Sequence, residues 1–559
     1  MANMLTGNQA PSVIEAPPDF PVTWEQPTDV QLPWEQEAVH FPDPITPMDR
    51  DLSAQQITDG FNKGAAYYRL PIEQQLRSLN TYAYIANVPL PPPPDGVDEA
   101  KLGATMGNLG VLWEQQWLPD IKQQLAYWDA FDLRGADMAA LRAHLDETVQ
   151  RLRRLWEIHF QLAFPMLMAV SFFEETYQDL FANVSQLAVY ALLDEVDNKT
   201  VEGTRALWQL SRQALAVPAV RQILAGTPAD AVLAQLSETA AGRAFLTHVH
   251  AYLQEYGRRI DKLYVSGASW SEDPTPVIRT LKGYMAQPDR DLLGEMEQVS
   301  TRRQQGVAAA RQQLTTFPQP IVSQFEAMLT AAQQARFLKE EHTNWIDFQA
   351  TYHARQVLLE FGRRLQDAGA IESRDDVFYL TLHELKETVA ATPFVPRQAL
   401  IRERRALEAQ YAQYTPPPRL GPLPSGPPPD NPVMRAVGKV FGAPPPPPQA
   451  PGELLGLAAA PGTVRGPVKI LRALAEADKL EPGDILVAAT TTPPWTPLFA
   501  NIAGVITDSG GILSHPAVVA REYGIPAVVG TAQATTMLQD GQVVEMDGSA
   551  GVVRVVSGT

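Results

Sequence analysis

The run Asp508-Ser509-Gly510-Gly511-Ile512-Leu513-Ser514-His515-Pro516-Ala517-Val518-Val519-Ala520-Arg521-Glu522-Tyr523-Gly524-Ile525-Pro526-Ala527-Val528-Val529-Gly530 punctuates the chain more sharply than any other. It reads as a strand ending at Thr507, a tight turn at Gly510 and Gly511, and a helix opening at His515 or Pro516. Proline suits a first helical turn, because the N–H it lacks has no intrahelical partner there. His515 is therefore expected at a helix N-terminus, where free N–H groups and the positive end of the helix dipole favour an anion. Imidazole is also a nucleophile near neutral pH, so a covalent phosphoryl group on His515 is chemically reasonable. Taken alone, a histidine in this position is more often a cap or a surface residue. Arg521, about two turns along, is a candidate for an added charge-assisted hydrogen bond, and Ser514, Gly510 and Gly511 are candidates for phosphate contact.

Short β-branched runs surround this motif: Thr463 to Leu471, Asp484 to Thr490, Ala503 to Thr507, Gln542 to Met546 and Gly551 to Val556. With Gly and Asp turns between them and two helical segments, they predict a small α/β module over 451–559. Before it lies a proline-dense zone, 415–450, including Pro416 to Pro418, Pro427 to Pro429 and Pro444 to Pro448. Such sequence favours extended polyproline II and predicts a semi-rigid tether, about 3.1 Å per residue, with a reach on the order of 100 Å.

Upstream, apolar residues recur at three- and four-residue spacing, as in Leu141, Leu145, Val149, Leu152, Leu155, Trp156 and His159. Residues 61–414 are expected to form a mostly helical domain, with 1–60 as irregular chain packed on it. The fold class is thus multidomain α + α/β. Length agrees: 559 residues exceed one ordinary core at about 100 to 200 residues per domain.

The formal net charge of −18 disfavours nucleic acid and anionic membranes, which select basic surfaces. The absence of cysteine excludes disulfides and thiolate chemistry. No signal-peptide pattern opens the chain, and the apolar stretch near Leu162 to Phe173 is too short to span a bilayer, so a cytoplasmic location is expected. His248 and His250, two apart on a predicted helix, do not share a face, and no metal site is read.

The string around His515 resembles the phosphohistidine signature of the mobile domain in the PEP-utilising enzymes, among them rifampicin phosphotransferase and phenylphosphate synthase. The likeness extends over Leu454 to Val556, through Pro461-Gly462, Gly483-Asp484-Ile485-Leu486-Val487, Trp495-Thr496-Pro497-Leu498-Phe499 and Asp547-Gly548. Pro516 departs from the small residue found in several relatives. The resemblance implies a swivelling domain whose histidine is phosphorylated from ATP and delivers the group elsewhere, with AMP and phosphate released. It further implies a separate ATP-grasp subunit, Mg2+ held mainly by that partner, and a hydroxylated, phenol-like acceptor.

The helical region resembles the substrate domain of the same enzymes at Asp197-Asn198-Lys199-Thr200, Tyr256-Gly257-Arg258-Arg259, Trp270 to Pro274, Arg336 to His342 and Asp375 to Leu380. On a helix, Arg336 lines up with Lys339 and Glu340. Arg336 and Lys339 are thus candidates to neutralise a phosphoryl group, and His342 or Glu341 to take the acceptor's proton. Arg258 and Arg259 are candidates for a phosphate clamp, or equally for ordinary ion pairs; Arg258 stands where relatives often carry histidine. Two other readings stay open: a carrier passing phosphate to another protein, and a catalytically silent scaffold.

Overall fold

The computed structural model describes residues 13–18, 20–181, 184–193, 197–422, 432–442, 452–472 and 474–556. Its organisation is α + α/β, a large helical body carrying a C-terminal mixed-sheet module. The helical body is built on α1 (Gln55–Tyr67) and α2 (Met138–Leu180), which pack along one another. Asp137 caps α2 by accepting from Ala140 N. By length and composition α2 could cross a bilayer, yet 67% of its most apolar window is buried inside the molecule. Around it stand α3 (Lys199–Ala216), α4 (Thr275–Met285), α5 (Gln319–His342) and α6 (Gln349–Asp367). The periodicity from Gln324 to Arg364 predicts one helix; the structure inserts a wide π-turn, Thr343–Phe348, between α5 and α6.

The opening segment is more regular than expected. Strands β1 (Val13–Ile14), β2 (Trp34–Gln36), β3 (Ile72–Leu79), β4 (Tyr82–Pro89) and β5 (Arg419–Pro422) form a sheet in the order β1-β5-β2-β4-β3. Of the two short strands near the N-terminus, β1 pairs with β5 and β2 lies between β5 and β4, and β5 itself lies inside the proline-dense zone. That zone is therefore no uniform polyproline tether. Besides β5 it contributes α7 (Pro432–Phe441), which lies on α2. Pairing to a sheet edge and packing on a helix outweigh the local preference for extended chain. Pro427 to Pro429 and Pro444 to Pro448 lie outside the described residues.

The C-terminal module holds β6 (Glu453–Leu455), β7 (Leu457–Ala460), β8 (Thr463–Ile470), β9 (Ile485–Ala488), β10 (Gly504–Thr507), β11 (Ala527–Val529), β12 (Val543–Asp547) and β13 (Val552–Val555) in the order β6-β13-β12-β8-β9-β10-β11-β7. Strands β8 through β11 pair in parallel, with Ile506 between Val487 and Val528. Every residue of β9, β10 and β11 is buried, as in a parallel sheet covered on both faces. Helix α8 (His515–Tyr523) follows β10 and ends at Gly524 in the left-handed conformation (φ 66°).

Candidate functional site

Between β10 and α8 the backbone turns at Gly510, whose φ of 114° lies outside the range of ordinary L-residues. Ser514 stands at the N-cap position of α8 in extended conformation, and its hydroxyl donates back to Gly511 O at 2.7 Å instead of capping the helix, closing the loop. Gly511 is pressed against α7: its N–H donates to Val440 O and the Leu513 N–H to Lys439 O, both at 2.7 Å. Lys439 in turn donates to Ser171 Oγ and pairs with Glu174 on α2 at 2.9 and 2.8 Å. The glycine loop is thus strapped to the helical body through a segment the sequence reading assigned to a tether.

His515 opens α8 partly buried. Its Nε2 lies 3.4 Å from Thr496 Oγ1, the Phe499 ring stands edge-on at 6.1 Å, and Nδ1 is buried without a hydrogen-bond partner. Burial pushes its pKa down to about 3; Glu340 opposes that shift, while Lys339 and Arg336 add to it. The imidazole is therefore neutral, with a nitrogen lone pair to offer.

Those three residues all come from α5, near enough to act electrostatically on His515. Arg336 is 4% exposed and donates to Glu522 Oε1 at 3.3 Å, leaving Nε and Nη1 buried without partners. Lys339 donates to Leu513 O at 2.8 Å, and burial lowers its pKa to about 8. Glu340 accepts from Thr200 Oγ1 at 2.9 Å. Burial alone would raise its pKa, but His515, Lys339, the Thr200 hydroxyl and Arg336 together hold it below the usual carboxylate range. Thr200 is placed by the start of α3, where Asn198 Oδ1 caps Thr200 N and Val201 N at 3.0 Å each.

Several expected site residues serve the scaffold instead. Glu341 accepts from Lys199 N at 2.8 Å and Trp345 Nε1 at 3.1 Å. His342 turns Nδ1 to Leu338 O at 2.7 Å, and two positions past Glu340 it is off the face that meets His515. Arg258 ties Asp129 Oδ1 (2.8 Å), Gln349 (2.9 Å) and His353 (3.1 Å) together. Arg259 donates to Lys199 O and stacks with Tyr256 and Trp270, acting behind Glu340 and not as a clamp. Arg521 donates to Ala459 O and Ile512 O at 2.9 and 3.1 Å, bracing the loop from within.

Sequence reasoning missed Glu340, Thr200, Thr496 and Glu522. Only Glu340 left a signal, its four-residue spacing from Arg336. Two clefts open on the C-terminal module around Asn501, one of about 410 Å³ against residues 287–302 and one of about 300 Å³ against α4; His515, Arg336 and His342 line neither.

Residues 480–551, which bracket His515, match the PEP-utilising enzyme mobile domain, and residues 159–340, from α2 to Glu340, match the rifampicin phosphotransferase fourth domain. The chain carries a PEP-utilising enzyme mobile domain. Among its relatives are a chondramide synthase of Chondromyces crocatus, 40% identical over 98% of this chain, and the uncharacterized phosphotransferase YvkC of Bacillus subtilis, 31% identical over 76%. A rifampicin phosphotransferase of Streptomyces sviceus is 31% identical over 61%. The chain spans 14%, 51% and 38% of the lengths of these three relatives. The two matched segments are those that carry His515 and the α5 residues Arg336, Lys339 and Glu340, and the Arg336–Glu522 and Lys339–Leu513 hydrogen bonds join them.

Proposed function

We propose that the chain is the acceptor-side half of a dikinase-type phosphotransferase, relaying phosphate through His515 to the hydroxyl of a small, phenol-like organic compound. One observation carries this reading: α5 of the other body reaches the segment around His515, Lys339 donating to Leu513 O and Arg336 to Glu522, so that the carboxylate of Glu340 and these two cations act electrostatically on the imidazole. Phosphoryl transfer needs placement and charge neutralisation above all. In the delivery step the acceptor oxygen forms a P–O bond while the N–P bond breaks, the electron pair returns to the imidazole nitrogen, and the hydroxyl proton passes to Glu340. The Arg336 donors that meet no partner in the resting chain are the natural contacts for equatorial phosphoryl oxygens.

Loading takes place at ATP bound on a separate ATP-grasp subunit, with ATP and water consumed as AMP and phosphate leave. Two cations with one carboxylate suit a phosphate better than Mg2+, so Mg2+ belongs with the nucleotide on that partner. A relative named as a rifampicin phosphotransferase supports a hydroxylated organic acceptor. A carrier role toward another protein is favoured by a single fact, that neither cleft described above reaches His515.

The test is to charge the chain from β-labelled ATP with its nucleotide-binding partner and follow delivery to a panel of phenols. Glu340→Gln and Arg336→Ala should still accept label on His515 but deliver it about 100- to 1,000-fold more slowly. Wild-type delivery rates in both variants would remove this cluster from the chemistry.

A further inference from the structure

We infer that His159, His342 and Asp347 form a binding site for one divalent transition-metal cation of the zinc class. Donor atoms of the three residues converge within 4.8 Å of one another, although they come from α2, the end of α5 and the π-turn after it. A regular helix would point His342 and Asp347, five positions apart, to different sides. The wider i→i+5 geometry of Thr343–Phe348 brings them toward one face, and such insertions cost hydrogen-bond quality and are frequent at functional sites.

The donors are also prepared. A carbonyl oxygen only accepts, so the 2.7 Å contact between His342 Nδ1 and Leu338 O places the proton on Nδ1 and leaves the lone pair on Nε2. Metal-ligating histidines are commonly oriented in this way, the second ring nitrogen donating to a backbone carbonyl. The His159 and His342 rings lie 4.6 Å apart at 70°, and His159 Nδ1 sits 2.9 Å from Asp347 Oδ1. Trp156 and Phe160 pack on the His159 ring at 4.9 and 4.7 Å, giving an aromatic wall around the polar atoms.

Two imidazoles and one carboxylate suit zinc, cobalt or iron(II), whereas Mg2+ and Ca2+ select all-oxygen sites. Three protein ligands leave a fourth position for water or a ligand oxygen. His159 is the least buried of the three, at 14% side-chain exposure. The inference stands on these donors and not on the relay chemistry of His515, so it is measured on the resting chain.

The experiment is calorimetric titration of chelator-stripped full-length protein with Zn2+, with the visible spectrum of the Co2+ form as a second readout. One tight equivalent is expected, with a Co2+ spectrum of four- or five-coordinate nitrogen and oxygen ligation. Asp347→Asn, which keeps the shape of the side chain, and His342→Ala should each weaken binding at least about 100-fold. The double variant His248→Ala, His250→Ala, altering an exposed pair, should bind as the wild type does. The site is disproved if the wild type takes up no equivalent with such a spectrum, if Asp347→Asn and His342→Ala retain it, or if the His248, His250 variant loses it. In any of those cases the three residues are a hydrogen-bonded core cluster.

Discussion

His515 could be picked out of the sequence because everything that places it is local: two glycines, a serine and a proline within seven residues. Glu340 could not, since its meaning depends on Thr200, 140 positions before it, and on a histidine in another body. The same distance effect misled the reading of the arginines. Arg258 looks like a phosphate ligand beside Arg259, but Asp129, Gln349 and His353 already occupy its guanidinium. Arg258→Ala is therefore expected to lower stability by about 1 to 2 kcal/mol in chemical denaturation and to leave charging and discharge of His515 unchanged. A delivery defect without a stability loss would restore Arg258 to the site.

Helices and strands were legible to different degrees. Strands β8, β9, β10, β12 and β13 follow their β-branched runs within a residue or two, whereas β6 and β7 were not foreseen, because Leu457–Ala460 is alanine-rich and becomes a strand only by pairing with β11. The proline zone misled for the converse reason. Proline density dominates any local reading, and the pairing of β5 with β1 and β2 and the seat of α7 on α2 are long-range facts. Helix α7 matters to the site, since its last carbonyls hold the glycine loop. A Cβ on Gly511 would stand 2.2 Å from Lys439 O, backbone that cannot simply swing aside. Gly511→Ala should thus cost about 1 to 3 kcal/mol and expose the segment around α7 to limited proteolysis, while the C-terminal sheet keeps its own protection. Equal protease resistance in the two proteins would show that the strap is not needed.

Across the whole molecule the C-terminal module is held against the helical body by polar contacts at several points: Arg279 with Asp478 at 2.8 Å, Thr492 Oγ1 donating to Asp261 O at 2.9 Å, Tyr523 OH with Thr204 Oγ1 at 3.3 Å and Arg336 with Glu522. This arrangement is a docked state, and its dependence on pH follows from His515. Docked, the imidazole titrates near 3, facing Glu340, Lys339 and Arg336; exposed, it would titrate near about 6.5. Between these values the undocked state binds the extra proton, so docking is favoured above about pH 6.5 and weakens progressively as pH falls toward 3. Lys339, lowered to about 8, acts in the same direction at higher pH. Small-angle scattering or a distance label across the two bodies should show the docked fraction falling on acidification from pH 7 to 5, with His515→Phe largely insensitive over that range. An identical acid response in that variant would assign the effect to other groups.

The central claim is that His515 carries the phosphate, and direct chemical detection tests it most simply. The chain is incubated with the proposed ATP-grasp partner, Mg2+ and β-labelled ATP, then split into acid- and base-treated portions, beside His515→Ala. Label is expected on the wild-type chain that is lost in acid, survives base and maps to the peptide containing His515, and none on the variant. Label of the same kind on His515→Ala, or an unlabelled wild-type chain beside a partner that turns over ATP, would contradict it.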